Sequence, residues 1–222
     1  VFVRVRPQLV ENELSLAIFK KHGFVTAPMH LTADLTSQLD ITKTEDELLA
    51  KMRKTTRYEL KKAQKLGITI KTSFNVDDID GFYDRQIQTA KRQGFVPFSK
   101  KFLKEQFRVF SSNNSALLYQ AHHEGKLLAE AFIIFYGTEA TYHYGASTDE
   151  GRRFPGAYLL QWEAILEAKR RGLKRYNFWG VVKPEQTKHR FYGVSIFKRG
   201  FGGDDVAYVP AQDLVVSPIR YS

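Results

Sequence analysis

One stretch of the chain, residues 174–203, restricts the possible fold and function more than any other. It begins with a short apolar run at residues 176–179, which is typical of a buried strand and is closed by a glycine. A polar linker and an aromatic helical segment follow, and the stretch ends in FKRGFGG at residues 197–203. A buried strand that leads into a cationic, glycine-rich turn is suited to binding a phosphate or a developing oxyanion. The same residues also fit the C-terminal cap of a helix, where Lys, Arg and Gly are common.

The composition favours a folded protein with anionic partners. The chain has 222 residues, 43% of them hydrophobic, with 17 Phe and 11 Tyr, which is enough for one large or two small packed domains. It has no cysteine, which excludes disulfides, thiolate metal sites and a Cys nucleophile. The formal net charge of +10 favours nucleic acid, an anionic membrane surface or phosphorylated substrates as partners.

The chain carries no visible targeting or spanning segment. No apolar run approaches the roughly 20 residues that a membrane span requires, and no signal peptide is visible. We therefore expect a cytoplasmic protein. Because the chain begins at Val1, inside a strand pattern, we also expect the natural protein to have an upstream part.

The hydrophobic periodicity predicts an α+β fold. Strands are predicted at residues 1–5, 37–41, 68–72, 116–122, 126–136, 141–145, 176–179 and 206–209. Helices are predicted at residues 11–21, 44–66, 76–93, 102–110 and 157–171 and before residue 197, with an irregular tail from residue 210. From residue 68 onward this is the element order of the GNAT N-acyltransferases, in which helices flank a mixed sheet and a splayed strand pair holds the acyl donor.

The helix predicted at residues 44–66 has an apolar stripe and a cationic stripe. It starts with a capping box, Thr44 to Glu47. The apolar stripe consists of Leu49, Met52, Thr56, Leu60 and Ala63. The cationic stripe consists of Lys54, Arg57, Lys61 and Lys65. A cationic stripe is typical of a solvated helix face, and it also fits contact with nucleic-acid phosphates.

The loop before the helix at residues 157–171 bears on the acyl donor. GNAT enzymes that use acetyl-coenzyme A hold its pyrophosphate with backbone amides of an Arg/Gln-x-x-Gly-x-Gly/Ala loop. Arg153 and Gly156 fit that pattern, but Tyr158 stands where a small residue is needed. Pro155 also removes one amide donor. The loop therefore disfavours coenzyme A.

Three segments together resemble the Fem family of peptidoglycan bridge-forming aminoacyltransferases, which are GNAT-like and use aminoacyl-tRNA. They are LLAKMRKTTRYELKKAQKLGITI, YHYGAS with LLQWEAILEAKRRGLKRYNFWGV, and GVSIFKRGFGG, and they cover most of residues 48–203. The first echoes the family's K-x-x-R-x-x-I-x-x-A-x-x-x-G helix, with Leu60 at the Ile position. The last matches the terminal F-K-x-G-F-G-G.

The resemblance implies transfer of an amino acid from a charged tRNA to the stem-peptide amine of a peptidoglycan precursor. The precursor would be lipid II or UDP-MurNAc-pentapeptide, so we expect transient contact with the inner membrane face. By analogy Lys198 is catalytic and neutralises the tetrahedral oxyanion or the terminal tRNA phosphate, and Phe197 packs beside the terminal adenosine. Further substrate contacts are expected from Arg199, Gly200, Lys100, Lys101, Arg153, Tyr158 and Tyr144. The cationic stripe would contact tRNA, and neither a metal nor a cofactor is expected, with aminoacyl-tRNA as co-substrate.

The resemblance also implies a division into domains. Residues 1–29, with residues 210–222 returning to them, would be the end of a first GNAT-like domain, and residues 30–209 the second. The family's diphosphate-binding cations of the first domain and its inserted tRNA-binding hairpin have no counterpart here. Candidate proton acceptors are His143, His189 and Asp149. Two alternatives stay open, a coenzyme A-dependent N-acyltransferase and a non-catalytic nucleic-acid-binding module.

Overall fold

The computed structural model describes residues 1–29 and 32–217, and within them the chain forms ten strands and seven helices. The strands are β1 (Phe2–Val5), β2 (Phe24–Thr26), β3 (Leu35–Asp40), β4 (Thr69–Ser73), β5 (Ala116–His123), β6 (Lys126–Tyr136), β7 (Glu139–Ser147), β8 (Arg175–Gly180), β9 (Asp204–Ala207) and β10 (Gln212–Val215). The helices are α1 (Glu13–Lys21), α2 (Glu45–Lys51), α3 (Lys54–Lys65), α4 (Asp78–Gln93), α5 (Lys100–Ser111), α6 (Gly156–Arg170) and α7 (Tyr192–Arg199). A 3-10 turn, Gly151–Arg153, precedes α6.

A seven-stranded mixed sheet forms the centre of the fold, in the order β4-β5-β6-β7-β8-β3-β9. All neighbours are antiparallel except β7 and β8, which are parallel. One buried cluster joins the sheet to α2, α3 and α6, and a second joins its other face to α4 and α5. The predicted α+β class, with helices flanking a mixed sheet in GNAT order, is confirmed.

The predicted helix at residues 44–66 is two helices. Its capping box is confirmed, because the Glu47 N–H donates to Thr44 Oγ1 (3.3 Å) and Glu47 Oε2 accepts from the Thr44 N–H (2.8 Å). The helix breaks at Met52, whose backbone is extended, and the Arg53 N–H donates to the Gly200 carbonyl beyond α7 (2.9 Å). The prediction of one helix was wrong because this contact joins residues far apart in sequence.

The chain ends form a separate three-stranded antiparallel sheet in the order β1-β10-β2. The predicted irregular tail was wrong, since residues 212–215 form its central strand. A buried ion pair joins two of its strands, with Arg4 Nε and Nη2 donating to the Asp213 carboxylate (2.6 and 2.7 Å). Among the described residues, no helix is both long and apolar enough to cross a membrane.

Candidate active site

The two parallel strands of the large sheet separate partway along. β7 and β8 pair from Glu139 and Arg175 only as far as Thr141 and Asn177. Beyond that point β8 pairs with β3 as far as Gly180, whereas β7 stays paired with β6. Because each strand follows a different neighbour, a wedge opens between them, which is the splayed pair that the GNAT order predicts.

A bulge in β7 lies beside the wedge. Across the ladder, Phe132 is opposite Tyr144 and Ile133 is opposite Tyr142. His143, between the two tyrosines, is therefore the extra residue. As a result Tyr142 packs with the core cluster beneath α6, while Tyr144 packs with the cluster beneath α4 and α5. The bulge supplies side chains to both faces of the sheet.

The end of β8 has an unusual backbone. Trp179 has a φ of 63°, a region that bulky residues rarely adopt and that often marks a functional site. Its N–H donates to Asn177 Oδ1 (2.8 Å), and Asn177 Nδ2 in turn donates to Glu139 Oε1 (3.1 Å). The indole ring lies 5.9 Å from the His143 ring, so the two rings flank the wedge.

The amine of Lys198, at the C-terminal end of α7, lies between the two separated strands. Its Nζ donates to the Gly180 carbonyl of β8 (2.7 Å) and lies 5.7 Å from the centroid of the Tyr142 ring of β7. Lys198 is 8% exposed, and burial lowers the pKa of its amine to about 7. An ammonium with one backbone acceptor keeps two N–H donors for another oxygen. The amine can therefore stabilise negative charge that develops in the wedge.

Aromatic rings support this lysine from the side of α6. The Tyr158 ring lies 4.9 Å from Phe197 in an edge-to-face arrangement, and Phe197 lies 5.4 Å from Phe201. Burial raises the pKa of the Tyr158 hydroxyl, so the phenol stays protonated at neutral pH. Tyr158 and Phe197, which the sequence assigned to substrate binding, are thus neighbours beside Lys198.

Tyr142 is a site residue that the sequence analysis did not single out. Its hydroxyl lies so close to Gly145 that a Cβ there would be 1.8 Å from the oxygen. Burial raises the pKa of Tyr142 to about 12, so the hydroxyl stays protonated at neutral pH. Glycine at position 145 therefore makes room for the Tyr142 ring. The sequence YHYG at residues 142–145 does not predict this contact.

Of the three candidate proton acceptors, His143 is the one beside the wedge. His143 Nε2 is 3.2 Å from Gln106 Oε1, and burial lowers the pKa of the imidazole to about 4, so it is neutral at pH 7. His189 lies in the loop before α7, where its Nδ1 accepts from the Phe191 N–H (3.1 Å). Asp149 is exposed and pairs with arginines.

Several predicted substrate-binding residues have other partners. The Arg199 guanidinium pairs with Asp205 (2.6 Å) and donates to the Val182 carbonyl (2.6 Å). Gly200 was expected to contact substrate, and its backbone φ of −58° is one that any residue adopts. A Cβ there would lie 2.5 Å from Thr56 Oγ1, so this glycine permits close packing of α7 against α3.

Lys100 and Lys101 at the start of α5 were expected to contact substrate. Lys100 lies 3.6 Å from Asp80 and 3.9 Å from Asp84, on the neighbouring helix α4. Lys104 donates to Asp80 (2.8 Å), which lowers the pKa of that carboxyl. Carboxylates of α4 therefore balance the charge of these two lysines, and the substrate contact expected of Lys100 stays a prediction. Lys101 is exposed on α5.

The remaining predicted residues lie on separate surfaces. Tyr144 packs against His143 at 4.1 Å and Phe98 at 6.3 Å, and burial raises its pKa to about 12. Arg153 is exposed in the turn before α6. Arg57 belongs to the cationic stripe by position, but its Nη1 donates to the carbonyl of Ala50 (3.1 Å) and thereby caps α2. The structure thus brings Lys198, Phe197 and Tyr158 together and leaves the others apart.

The loop before α6 is closed onto itself. The N–H of Gly151 donates to Thr148 Oγ1 (2.9 Å), and that of Arg152 to the Thr148 carbonyl (3.2 Å). The N–H groups of Arg153 and Phe154 are bonded within the same turn, and Pro155 has none. The amides of residues 151–154 are therefore occupied.

The splayed parallel pair, the strand order and the helices on both faces define a GNAT-like fold. A tandem GNAT protein from the clavulanic acid biosynthesis pathway shares this fold, with a TM-score of 0.54 at 12% identity over 98% of this chain and 63% of that one. Within this class the chain belongs to the FemAB family, whose model matches residues 8–124 and 112–222.

Individual relatives agree with this assignment. The aminoacyltransferase FemA of Staphylococcus epidermidis is 32% identical over 97 residues, which are 44% of this chain and 23% of FemA. A UDP-N-acetylmuramoylpentapeptide-lysine N(6)-alanyltransferase of Weissella viridescens is 25% identical over 99% of this chain and 67% of the relative. The crystal structure of FemX superposes with a TM-score of 0.85 at 18% identity, covering 99% of this chain and 73% of FemX. The match to FemA thus spans about a quarter of that protein's length.

Proposed function

We propose that this protein transfers an amino acid from aminoacyl-tRNA to the stem-peptide amine of a peptidoglycan precursor. The observation that carries the proposal is the buried Lys198 amine between two separated strands, where an acyl group can enter. Membership of the FemAB family supports the reaction class, and the name of the Weissella relative supports a lysine side-chain amine as acceptor. No nucleophilic side chain is required, because aminoacyl-tRNA is already an activated ester.

The chemistry is an aminolysis of the ester. The acceptor nitrogen attacks the ester carbonyl, an amide C–N bond forms, and the C–O bond to the terminal ribose breaks, with its hydroxyl leaving protonated. The Lys198 ammonium donates hydrogen bonds to the oxyanion, and the surrounding burial strengthens that interaction. The attacking ammonium must first lose a proton to solvent, because a pKa of about 4 makes His143 beside the wedge a weak acceptor.

The loop before α6 disfavours coenzyme A as donor. We expect acetyl-coenzyme A to leave the melting temperature unchanged, because the amides of residues 151–154 are already bonded and Tyr158 stands where the coenzyme A loop needs a small residue. A thermal-shift titration checks this, since a ligand at a hundred times its Kd stabilises by roughly 2.7 kcal/mol. A saturable shift with acetyl-coenzyme A, absent with free adenosine diphosphate, would favour the alternative of a coenzyme A-dependent acyltransferase.

For tRNA we propose the exposed face of α3. Lys54, Lys61 and Lys65 are exposed there, and within the described part of the chain their amines form no ion pair. Tyr58, 63% exposed, follows the same helical spacing, so an aromatic ring stands among the cations. Interleaved cations and aromatic rings suit a nucleic-acid backbone and its bases.

The double variant Lys61→Glu with Lys65→Glu should weaken tRNA binding by about tenfold or more. Loss of phosphate contacts should also reduce the slope of log affinity against log salt by roughly 1–2. Filter binding at several salt concentrations measures both. Lys20→Glu with Lys21→Glu, on the exposed end of α1, makes the same charge change elsewhere. Equal losses in the two double variants would show a non-specific charge effect.

We propose that the small sheet belongs to a first GNAT-like unit, as the sequence predicted. The small sheet and α1 expose large apolar side chains, including Val3 at 51%, Leu14 at 73% and Ile18 at 50%, which a further layer of protein would cover.

For the acceptor, both the nucleotide-linked and the lipid-linked precursor fit the proposed reaction. We further propose a cytoplasmic location with transient contact to the inner membrane face.

The alternative of a nucleic-acid-binding module without catalysis rests on the same face of α3. The two alternatives differ in one property, because only a transferase depends on the Lys198 amine. Transfer of a radiolabelled amino acid from charged tRNA to UDP-MurNAc-pentapeptide is the deciding measurement. Robust tRNA binding without any transfer would favour the binding module.

A further inference from the structure

The connection between α4 and α5 presents an exposed apolar surface. Val96 is 94% exposed, Phe98 is 56% exposed, and Phe102 in the first turn of α5 is 45% exposed. The Phe98 and Phe102 rings lie 4.8 Å apart. These three side chains are called the apolar tip below. Contiguous exposed apolar side chains of this size are typical of a surface that contacts a partner.

The apolar tip is held in position by the segment before α7. Arg190 Nη1 donates to the Gly94 carbonyl, and the Phe95 ring lies 6.1 Å from Phe191. Gly94 ends α4 in the left-handed conformation, with a φ of 69°, which turns the chain outward. Because the base of the loop is bonded on both sides, the exposure of Val96 belongs to the folded structure.

The segments that carry and support the apolar tip are rich in cations. The two segments that form this surface, residues 88–102 and 183–192, contain one acidic residue, Glu185. Apart from Lys100 and Arg92, their cations are Lys91, Lys101, Lys183, Lys188 and Arg190, which together are called the cationic rim. Carboxylates of α4 and of the β7–α6 loop balance the charges of Lys100 and Arg92. An apolar centre with a cationic rim is complementary to a bilayer with anionic headgroups.

We propose that the apolar tip inserts into the interface of an anionic lipid bilayer, with the cationic rim on the headgroups. Phe98 contacts Tyr144, which packs on His143 beside the wedge, so a docked protein would turn its wedge toward the bilayer. If the proposed transfer reaction holds, this orientation selects the lipid-linked precursor as acceptor. That consequence rests on the proposed function, whereas the docking itself does not.

Lipid fits this surface better than the other two candidate occupants. A nucleic acid would gain from stacking on the exposed rings of Phe98 and Phe102, but the most exposed residue of the apolar tip is Val96, which has no π-face. A second copy of this chain would bring two cationic rims together, which like-charge repulsion opposes. An aliphatic side chain that is 94% exposed gains most by leaving water for lipid.

The test is co-sedimentation with phosphatidylcholine vesicles containing about one third phosphatidylglycerol. We expect the full chain to bind these vesicles, and Val96→Glu to lower the partition coefficient by about tenfold, because a carboxylate at the tip loses apolar contact and is repelled by the headgroups. Val96 is 94% exposed, so the substitution should not affect folding. Tyr136→Glu is the matched control, since Tyr136 is 75% exposed at the end of β6 and should leave binding unchanged.

A fluorescent reporter gives an independent readout. Val96→Trp should shift its emission to shorter wavelength on adding anionic vesicles, while the wild-type chain with Trp162 and Trp179 should not. Equal vesicle binding by Val96→Glu and Tyr136→Glu would overturn the proposal, and so would failure of the wild type to bind anionic vesicles. If Val96→Glu lost tRNA binding but kept vesicle binding, the surface would be assigned to nucleic acid. If Val96→Glu changed the protein from a dimer to a monomer, the surface would be assigned to self-association.

Transfer to a nucleotide-linked precursor without vesicles separates this proposal from the previous one. Val96→Glu should transfer as fast as the wild type there, because the Val96 side chain is 94% exposed and is not among the groups beside the Lys198 amine. If the wild type transfers nothing but binds vesicles through Val96, the transferase proposal fails and the docking surface stands. If transfer proceeds but Val96→Glu binds vesicles as well as the wild type, the docking surface fails and the transferase proposal stands.

Discussion

Replacing Lys198 by Met should abolish aminoacyl transfer while making the protein more stable. The oxyanion would lose its charged donor, and removal of one such donor typically costs about a hundredfold to a thousandfold in rate. Met fills nearly the same volume in the buried position. The affinity for tRNA should be nearly unchanged, since the amine lies inside the wedge and away from the exposed face of α3. Single-turnover transfer and filter binding measure the two quantities.

The gain in stability follows from the lowered pKa of this amine. The pKa is about 7 in the fold and 10.5 in the ordinary environment, so the unfolded chain binds the proton more tightly between those values. The free energy of unfolding of the wild type should therefore rise as the pH increases from about 7 to about 10.5, and that of Lys198→Met should lack this rise. At pH 7 the buried charge costs about 4 kcal/mol, and the lost hydrogen bond to Gly180 offsets about 1–2 kcal/mol of the gain.

Lys169→Met is the matched control. Lys169 lies at the end of α6 and donates to the Ile41 carbonyl (2.8 Å), but it is distant from the wedge. Its replacement should lower stability slightly and leave transfer intact. Transfer by Lys198→Met at the wild-type rate would remove the basis of the proposed mechanism, and a loss of stability at pH 7 would contradict the buried-charge argument.

Local sequence patterns predicted the elements well where neighbours along the chain determine them. The capping box at Thr44 is local, and so are the helical and alternating stripes that gave the GNAT order. Tyr58 could also have been found, because its spacing to Lys54, Lys61 and Lys65 is helical. The residues that determine these features lie within one or two turns of a helix or within one strand.

Contacts between distant residues decided the features that the sequence did not predict. The break at Met52 requires the Gly200 carbonyl, and the apolar stripe continues across it with unchanged spacing. Lys100 is balanced by Asp80 and Asp84 on another helix. The wedge itself depends on β8 pairing with β3 across more than a hundred residues. Hydrophobic periodicity is a local pattern, so it does not predict which distant strands pair.

The second large effect is expected at Gly151, where the chain approaches the backbone of β6. A Cβ at this position would lie 2.0 Å from the Leu128 carbonyl oxygen, and a backbone atom in a central strand cannot move aside. Gly151→Ala should therefore push the loop away from β6 and break two hydrogen bonds of Thr148. In the first, the Gly151 N–H donates to Thr148 Oγ1 (2.9 Å), and in the second, the Thr148 N–H donates to the Leu128 carbonyl (3.0 Å). We expect a loss of roughly 2–4 kcal/mol in the free energy of unfolding, measured by chemical denaturation.

This displacement should also reach the active site. The loop leads directly into α6, whose third residue is Tyr158, and Tyr158 supports Phe197 beside Lys198. A shift of about 1 Å in catalytic geometry can cost up to about a hundredfold in rate, so the folded fraction of Gly151→Ala should transfer more slowly than the wild type. Gly193→Ala is the control, because a Cβ there meets open space on α7 and should stabilise the helix slightly. If Gly151→Ala lost stability but kept the wild-type rate per folded molecule, the loop would support the fold without positioning the aromatic rings, and the position of Lys198 would depend on α7 alone.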